Sequence, residues 1–224
     1  MAKRVCESLW LVGGADLTHS ADCLVYALDL GELVLIDCGA GPGWSWIQDQ
    51  IRIAGFDPER IHTLVLTHAH LDHIGAATRV VADTGCRVVA HELDCEAIET
   101  GDPARTAASM YGMALDGCPV DLRVEGDGQT LEFTKGSLRL VHTPGHTPGS
   151  MVALVELEGE RILFGQDIHG PFHPAFGSDI EQWRESMQQV IALQADVLCE
   201  GHYGVYRPAS AVREFIEEHL SAHR

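Results

Sequence analysis

Residues 67–76, THAHLDHIGA, largely decide both the fold and the chemistry that the sequence predicts. Four side chains that can each bind a metal ion lie within six consecutive positions: His68, His70, Asp72 and His73. The preceding HTLVL is apolar and predicts a buried strand that runs into this cluster. Side chains two positions apart on a strand point to the same side, so His68, His70 and Asp72 can converge. His73 is directed to a second point, and the pattern therefore favours two metal ions over one.

Three later segments supply further candidate ligands, one in a loop with Pro and Gly between two predicted strands and two directly after predicted strands. They are His146 in HTPGHTPGS, Asp167 in LFGQDIHG and His202 in LCEGHYG. Polar residues in loops that follow buried strands are the usual positions of functional groups on a rigid scaffold. Neutral imidazoles and carboxylates suit zinc, iron or manganese better than calcium. The residues therefore predict a site for two divalent metal ions, with Zn²⁺ favoured and Fe or Mn as alternatives.

Five short motifs occur in one order between residues 37 and 202: DCGAG, THAHLDH, PGHTPGS, GQD and EGH. This set resembles the motifs of the metallo-β-lactamase superfamily of binuclear metallohydrolases, and in particular those of glyoxalase II. The resemblance implies an α/β fold, a four-layer αβ/βα sandwich of two mixed β-sheets with helices on the outer faces. It also implies that the metal ions lie at the edge of the two sheets. We expect residues 1–224 to form a single domain of this kind.

The resemblance implies a role for each polar residue of the motifs. Seven side chains would hold the two ions: His68, His70 and His146 the first, Asp72, His73 and His202 the second, and Asp167 both. Asp72 and Asp167 would be the catalytic carboxylates, because they fix the ions and can accept a proton from the attacking water. Asp37, in the first motif, would order the ligand loops from behind. Four further side chains are candidates for contacts with the ligands or with the substrate: His142, His169, His173 and Tyr203.

Segments between the motifs alternate between strand and helix signals. DHIGAATRVVADTG predicts a helix that starts at Asp72 and stops at Gly85, and residues 179–193 predict another. RVCESLWLVGG, near the start of the chain, predicts one β-run. Residues 91–118 lack strand signals, and ELDCEAIET and PARTAASMYGMAL predict two helices there. We expect this segment to be a helical insertion that covers the active site.

The composition of the chain restricts the binding partners and the cellular compartment that we expect. The formal net charge is −18, from 33 acidic and 15 basic side chains, and the chain has no cluster of Lys and Arg. A nucleic acid would be repelled, so we expect a small-molecule substrate and no nucleic acid. No apolar run reaches the roughly 18 residues of a membrane span, so we expect no membrane partner. The start lacks a secretory signal and the seven cysteines are scattered, which favours a cytoplasmic protein. A homodimer is one assembly that remains open.

Two divalent ions that share a water molecule lower its pKa from near 16 toward about 7. This predicts hydrolysis of a small ester, thioester or lactone by a metal-bridging hydroxide. For each known activity of the superfamily, this sequence departs from the expected motif. Superfamily lactonases carry a Tyr where this chain has Gly170, and GQDIHGPF differs from the residues that follow the bridging Asp in glyoxalase II. Two alternatives therefore stay open. One is a mononuclear iron dioxygenase of persulfides, and the other is a non-catalytic protein whose metal ions stabilise a binding surface.

Overall fold

Two β-sheets face each other in the computed structural model, which describes residues 1–223. The first sheet has seven strands that follow one another in sequence order: β1 (Lys3–Cys6), β2 (Leu9–Gly13), β3 (Val25–Asp29), β4 (Leu33–Ile36), β5 (Ile61–Val65), β6 (Arg87–His91) and β7 (Leu122–Val124). Strands β1 to β4 pair antiparallel, whereas β4 to β7 pair parallel. The carboxyl ends of β4 and β5 therefore lie at the same edge of the sheet, and the loops after them are neighbours.

The second sheet has six strands in the spatial order β13-β12-β11-β10-β9-β8. Their bounds are β8 (Gly128–Phe133), β9 (Gly136–His142), β10 (Met151–Leu157), β11 (Glu160–Gln166), β12 (Val197–Glu200) and β13 (Val205–Tyr206). Neighbouring strands are antiparallel except for β11 and β12, which are parallel. This parallel pair brings Asp167, directly after β11, to the same sheet edge as His202, which follows β12.

Seven helices occur in the described chain: α1 (Trp44–Ile53), α2 (Leu71–Ile74), α3 (Ala77–Thr84), α4 (Glu92–Thr100), α5 (Ala108–Tyr111), α6 (Ile180–Ala192) and α7 (Ala209–Ala222). Single 3₁₀ turns lie at Pro58–Arg60 and Pro174–Phe176. None of the helices within residues 1–223 has the length and apolar composition that crossing a membrane requires.

Strand β3 shows why the strand sequences are apolar on both faces. Val25 and Ala27 belong to a core cluster shared with α1 and α3, whereas Tyr26 and Leu28 pack between the two sheets. On the far side, Trp183 of α6 covers the outer face of the second sheet together with α7. A strand buried on both faces loses the alternation of a half-exposed strand. The order of layers is helix, sheet, sheet, helix, and the predicted four-layer sandwich is confirmed.

The helix predicted from Asp72 to Gly85 is interrupted in the structure. His70 is the N-cap of α2, so Asp72 lies inside the first turn and does not begin the helix. The interruption comes at Gly75, where an added Cβ would lie 2.2 Å from the carbonyl oxygen of Ala40. Only glycine permits this close approach of two backbone segments. The predicted stop is confirmed, since Gly85 follows α3 with a φ of +67°.

The segment 91–118 is only partly helical. Its first predicted helix is confirmed as α4. The second prediction, over PARTAASMYGMAL, is wrong for most of its length because only the four residues of α5 are helical. Ala107 before α5 and Gly112 after it both adopt the left-handed conformation, with φ of +57° and +64°, and end the helix at each side.

The predicted β-run RVCESLWLVGG is split as well. A turn at Glu7 and Ser8 folds it into the antiparallel hairpin of β1 and β2. The short strand β13 was not predicted, and the helix predicted over residues 179–193 is confirmed by α6, which Asp179 caps.

Candidate metal centre

Loops after β5, β9 and β11 bring three histidines and one carboxylate into one buried group, called here the first group. It consists of His68, His70, His146 and Asp167, and one nitrogen or oxygen atom of each lies within 4.8 Å of the others. His146 Nε2 is 2.9 Å from His70 Nδ1 and 3.6 Å from Asp167 Oδ2. His146 Nδ1 donates a hydrogen bond to the carbonyl oxygen of Pro171 at 2.9 Å, so Nε2 is the nitrogen left free for a metal ion.

A second group adjoins the first and contains Asp72, His73, His202 and the same Asp167. His202 Nε2 lies 3.2 Å from Asp72 Oδ2, and His73 Nε2 lies 3.5 Å from that oxygen. The two imidazoles approach each other to 3.3 Å between their Nε2 atoms. Four potential ligand atoms therefore face one point from α2 and from the loops after β11 and β12.

Asp167 is the residue common to both groups. Its Oδ2 faces the first group, whereas its Oδ1 lies 3.1 Å from His73 Nε2 and 3.3 Å from His202 Nε2. The carboxylate is buried, and its backbone N–H donates to the side-chain oxygen of Gln166 at 2.8 Å. One carboxylate with an oxygen directed to each of two ligand groups has the geometry of a bridge between two cations.

Asp37 lies behind the second group, directly after β4. His73 Nδ1 donates to Asp37 Oδ2 at 2.7 Å. Thr67 donates twice to the same carboxylate, with its backbone N–H to Oδ1 and its hydroxyl to Oδ2, both at 2.8 Å. These bonds hold the start of the ligand segment and fix which nitrogen of His73 faces the centre.

Asp94 of α4 is a site residue that the sequence analysis missed. Its fully buried carboxylate accepts hydrogen bonds from Ala69 N at 3.0 Å, from Thr147 Oγ1 at 2.7 Å and from Gly149 N at 2.9 Å. One residue thus joins the loop that carries His68 and His70 to the loop that carries His146. The first part of segment 91–118 is therefore built into the site.

Glu200, the last residue of β12, is a second missed residue with a similar role. It is fully buried, and its Oε2 accepts the backbone N–H groups of His202 at 2.6 Å and Tyr203 at 2.9 Å. Its Oε1 accepts a hydrogen bond from His169 Nδ1 at 2.8 Å. Glu200 therefore fixes the loop of His202 and orients His169 at the same time.

The other predicted side chains lie outside both groups. His142 stacks on His91 with ring centroids 3.8 Å apart and contacts the carbonyl oxygen of Pro148 through Nε2 at 2.8 Å. His173 is exposed and caps the 3₁₀ turn that follows it, so the structure does not bring it to the centre. Tyr203 is 60 % exposed and meets the site only through a ring contact with His169.

The histidines of the two groups differ in their pKa values. Burial and the neighbouring histidines hold the pKa of His68 well below its ordinary value, and burial lowers the pKa of His70 and of His146 to about 3. These three imidazoles are neutral at pH 7 and keep a lone pair for a metal ion. Burial opposes a charge on His202, but Asp167 outweighs it and raises the pKa of His202 to about 10. Protons therefore compete with a cation mainly at the second group.

The donor set fits divalent metal ions. All seven predicted ligands offer nitrogen or oxygen atoms, and within residues 1–223 no Lys or Arg forms an ion pair with Asp72 or Asp167. His68 Nε2 is buried and has no hydrogen-bond partner in the described chain. Such an atom costs about 1–3 kcal/mol when nothing satisfies it. A cation bound in the first group would satisfy it.

A cavity of about 260 Å³ opens onto the two groups. It is lined by residues of the centre and by residues from α5 and from the segment after β11: His70, Asp72, Ala107, Met110, Tyr111, Asp167, His169, Pro171, Phe176 and His202. The cavity is slightly smaller than the roughly 300–1,000 Å³ typical of small-molecule sites.

The family model of the metallo-beta-lactamase superfamily matches residues 18–202, a range that contains every predicted ligand. The chain belongs to this superfamily. Metal dependence is a property of the superfamily, and the two groups are where this member can bind metal ions.

Several relatives within the superfamily are similar to this member. It is 29 % identical over 182 residues to the atrochrysone carboxyl ACP thioesterase of Aspergillus fumigatus, covering 80 % of this chain and 50 % of that protein. It is 29 % identical over 215 residues to ribonuclease TTHA0252 of Thermus thermophilus, covering 90 % of this chain and 46 % of that protein. The chain thus spans about half the length of these curated relatives.

A solved structure supports the fold. The motif mutant of a metallo-beta-lactamase from Cronobacter sakazakii aligns with a TM-score of 0.84, covering 99 % of this chain and 94 % of that one, at 22 % identity. At this identity the likeness concerns the arrangement of the sheets and helices.

Proposed function

We propose that the chain is a binuclear metal-dependent hydrolase of a small ester, thioester or lactone. The observation that carries the proposal is Asp167, which directs one oxygen toward each of the two ligand groups. Two divalent cations, Zn²⁺ or alternatively Fe or Mn, would lower the pKa of water toward neutrality and polarise the carbonyl oxygen of the substrate.

Each side chain of the centre has a distinct part in this proposal. The neutral imidazoles of His68, His70 and His146 would hold one cation. Asp72, with His73 and His202, would hold the other, and Asp167 would bridge them. The carboxylates of Asp72 and Asp167 are also the groups placed to accept a proton from the attacking water.

Residues behind the ligands would keep this arrangement in place. Asp37 would accept the hydrogen bond from His73 Nδ1–H, so that Nε2 stays directed to the centre. His169, oriented by Glu200, lines the cavity and is placed to contact a bound substrate.

The cavity supports a small substrate, and one relative named as a thioesterase supports cleavage of an acyl bond. Another relative is named as a ribonuclease, which makes a phosphodiester the substrate class to be tested beside the acyl compounds. The net charge of −18 opposes binding of a nucleic acid.

The test combines metal analysis with a substrate panel. Protein purified without added metal is analysed for bound ions and then assayed, after loading with Zn²⁺, Mn²⁺ or Fe²⁺, on thioesters, lactones, esters and phosphodiesters. We expect two ions per chain and turnover of at least one acyl substrate. Asp167→Asn is expected to lose most of the metal and the activity, whereas Asp57→Asn, which keeps the N-cap of the 3₁₀ turn at Pro58–Arg60 and does not line the cavity, should retain both.

Other results would assign a different function. One iron per chain with sulfite formed from glutathione persulfide would identify a dioxygenase. Two ions with no turnover of any substrate would favour a binding protein. Unchanged metal content and turnover in Asp167→Asn would refute the bridging role.

A further inference from the structure

The cavity above the metal centre has two chemically different halves. One half consists of the polar side chains of the centre, such as Asp72 and His202. The other half consists of Ala107, Met110 and the ring of Tyr111 from the α5 region together with Pro171 and Phe176, whereas the hydroxyl of Tyr111 lies beside Asp72. No Lys or Arg of residues 1–223 lines either half.

The apolar half is presented by a well-anchored segment. Met110 is 66 % exposed and Tyr111 is 42 % exposed. Large apolar side chains that are grouped at a protein surface commonly mark recognition sites. Ala108 of α5 packs in a small cluster with Leu71 of α2, and Leu71 N donates to the carbonyl oxygen of Thr106 at 2.8 Å. The exposed side chains are thus held at the cavity by the helix that carries two of the predicted ligands.

Phe176 extends the same wall from the opposite side. Its ring is buried and meets the ring of His70 edge to face, with centroids 4.4 Å apart. The apolar wall therefore begins directly beside the predicted ligands and continues outward to Met110.

The arginine nearest to this wall in the sequence is directed elsewhere. Arg105 is the single Lys or Arg of residues 103–115. Its guanidinium contacts Glu96 at 3.3 Å and donates to the carbonyl oxygen of Leu93 at 2.7 Å, both on α4. A negatively charged group lying against the outer part of the apolar wall, away from the metal centre, would lose water with no Lys or Arg of residues 1–223 lining the cavity beside it.

We infer that the enzyme selects substrates whose group distal to the scissile bond is neutral and apolar, and that Met110, Tyr111 and Phe176 determine this selection, an inference that rests on the proposed function. Acyl compounds with a hydrocarbon tail satisfy this requirement. Compounds with a distal carboxylate or phosphate, such as glutathione or coenzyme A conjugates, do not satisfy it.

The test compares two substrates that differ only at the distal end. 4-Nitrophenyl hexanoate ends in a methyl group, and the 4-nitrophenyl monoester of adipic acid carries a carboxylate in its place. We expect kcat/KM of the metal-loaded enzyme to favour the hexanoate by about tenfold or more. Met110→Lys should reduce that ratio by about tenfold, because it places a positive charge where the carboxylate would lie. Ile53→Lys is the matched control, since Ile53 is 53 % exposed on α1 and lies outside the cavity; it should leave the ratio unchanged.

A binding measurement separates this inference from the proposed function. Hexanohydroxamic acid and adipic monohydroxamic acid carry the same two tails as the esters, each attached to a metal-chelating hydroxamate. Calorimetry with metal-loaded protein gives the affinities of both compounds without turnover. We expect the neutral hydroxamate to bind more tightly, and we expect Met110→Lys but not Ile53→Lys to reduce this preference. This result would support the selection even if neither ester is cleaved. Absence of cleavage would then count against the proposed function alone. Equal affinities and equal kcat/KM within each pair, or the same change in both Lys variants, would overturn the inference.

Discussion

Replacing Asp94 with alanine would test whether one buried carboxylate holds the two histidine-bearing loops together. The substitution removes the acceptor of Ala69 N, Thr147 Oγ1 and Gly149 N. Thr147 keeps a partner, because its hydroxyl lies 2.9 Å from that of Ser150. Two buried backbone N–H groups are then unsatisfied, at about 1–3 kcal/mol each.

One effect opposes this loss. Burial raises the pKa of Asp94, which means that the folded protein holds the charged carboxylate at some cost, and the substitution removes this cost. We therefore expect Asp94→Ala to lower the free energy of unfolding by about 3 kcal/mol, out of a total of about 5–15 kcal/mol for a typical domain. Metal affinity should fall about 10–100-fold, because the two loops that carry the histidines of the first group lose their common support.

Urea unfolding of the metal-loaded protein measures the first quantity, and competition with a chelator measures the second. Asp94→Asn should lose less, because an amide oxygen can still accept from Ala69 and Thr147 while its NH₂ group faces Gly149. The control is Asp116→Ala in the same segment, at an exposed side chain, with an expected change within about 0.5 kcal/mol. If Asp94→Ala unfolded and bound metal as the unaltered protein does, the linking role would be refuted.

Two further predictions follow from the same region. Burial lowers the pKa of His91, so the unfolded chain binds that proton more readily and stability is lost as the pH falls below about 6.5. His91→Gln should reduce the slope of the free energy of unfolding against pH between about pH 7 and 5, whereas His62→Gln, at an exposed position, should leave that slope unchanged. Equal slopes in the unaltered protein and in His91→Gln would contradict this prediction. Deleting residues 91–118 should weaken metal binding by at least the roughly 10–100-fold expected of Asp94→Ala, because Asp94 is lost, whereas replacing only residues 108–112 with Gly and Ser should keep the metal affinity and alter the substrate range. An unchanged metal affinity in the longer deletion, measured by competition with a chelator, would contradict this prediction.

The strands that precede the ligands could be predicted because they depend on local patterns, whereas the four-layer fold and the division of the ligands into two groups were implied by the family resemblance. Apolar runs that end in His or Asp identify strands and the edge where their loops meet, as for Asp167 after β11. The family motifs then assign the remaining partners. Nothing in this reasoning requires knowledge of how distant segments pack.

Asp94 and Glu200 were missed because their roles depend on such packing. Asp94 lies on the buried face of α4 beside Cys95 and Ile98, and a carboxylate on an apolar helix face was the one available signal. The break of the predicted second helix depends on the left-handed conformation of Ala107, which its sequence context does not reveal. His173 was favoured by its nearness to Asp167 along the chain, yet its ring is used to cap a turn.

The ligands of the proposed cation pair come from loops of both sheets: four precede or lie on α2 after β5, and the others follow β9, β11 and β12. Bound cations would therefore fasten one half of the sandwich to the other at a single edge. Without them, Asp72 and Asp167 would face each other there with only protonated histidines between them. Loss of the cations would then lower the free energy of unfolding as well as the activity, and a larger unfolded fraction of the chain would be exposed to proteolysis.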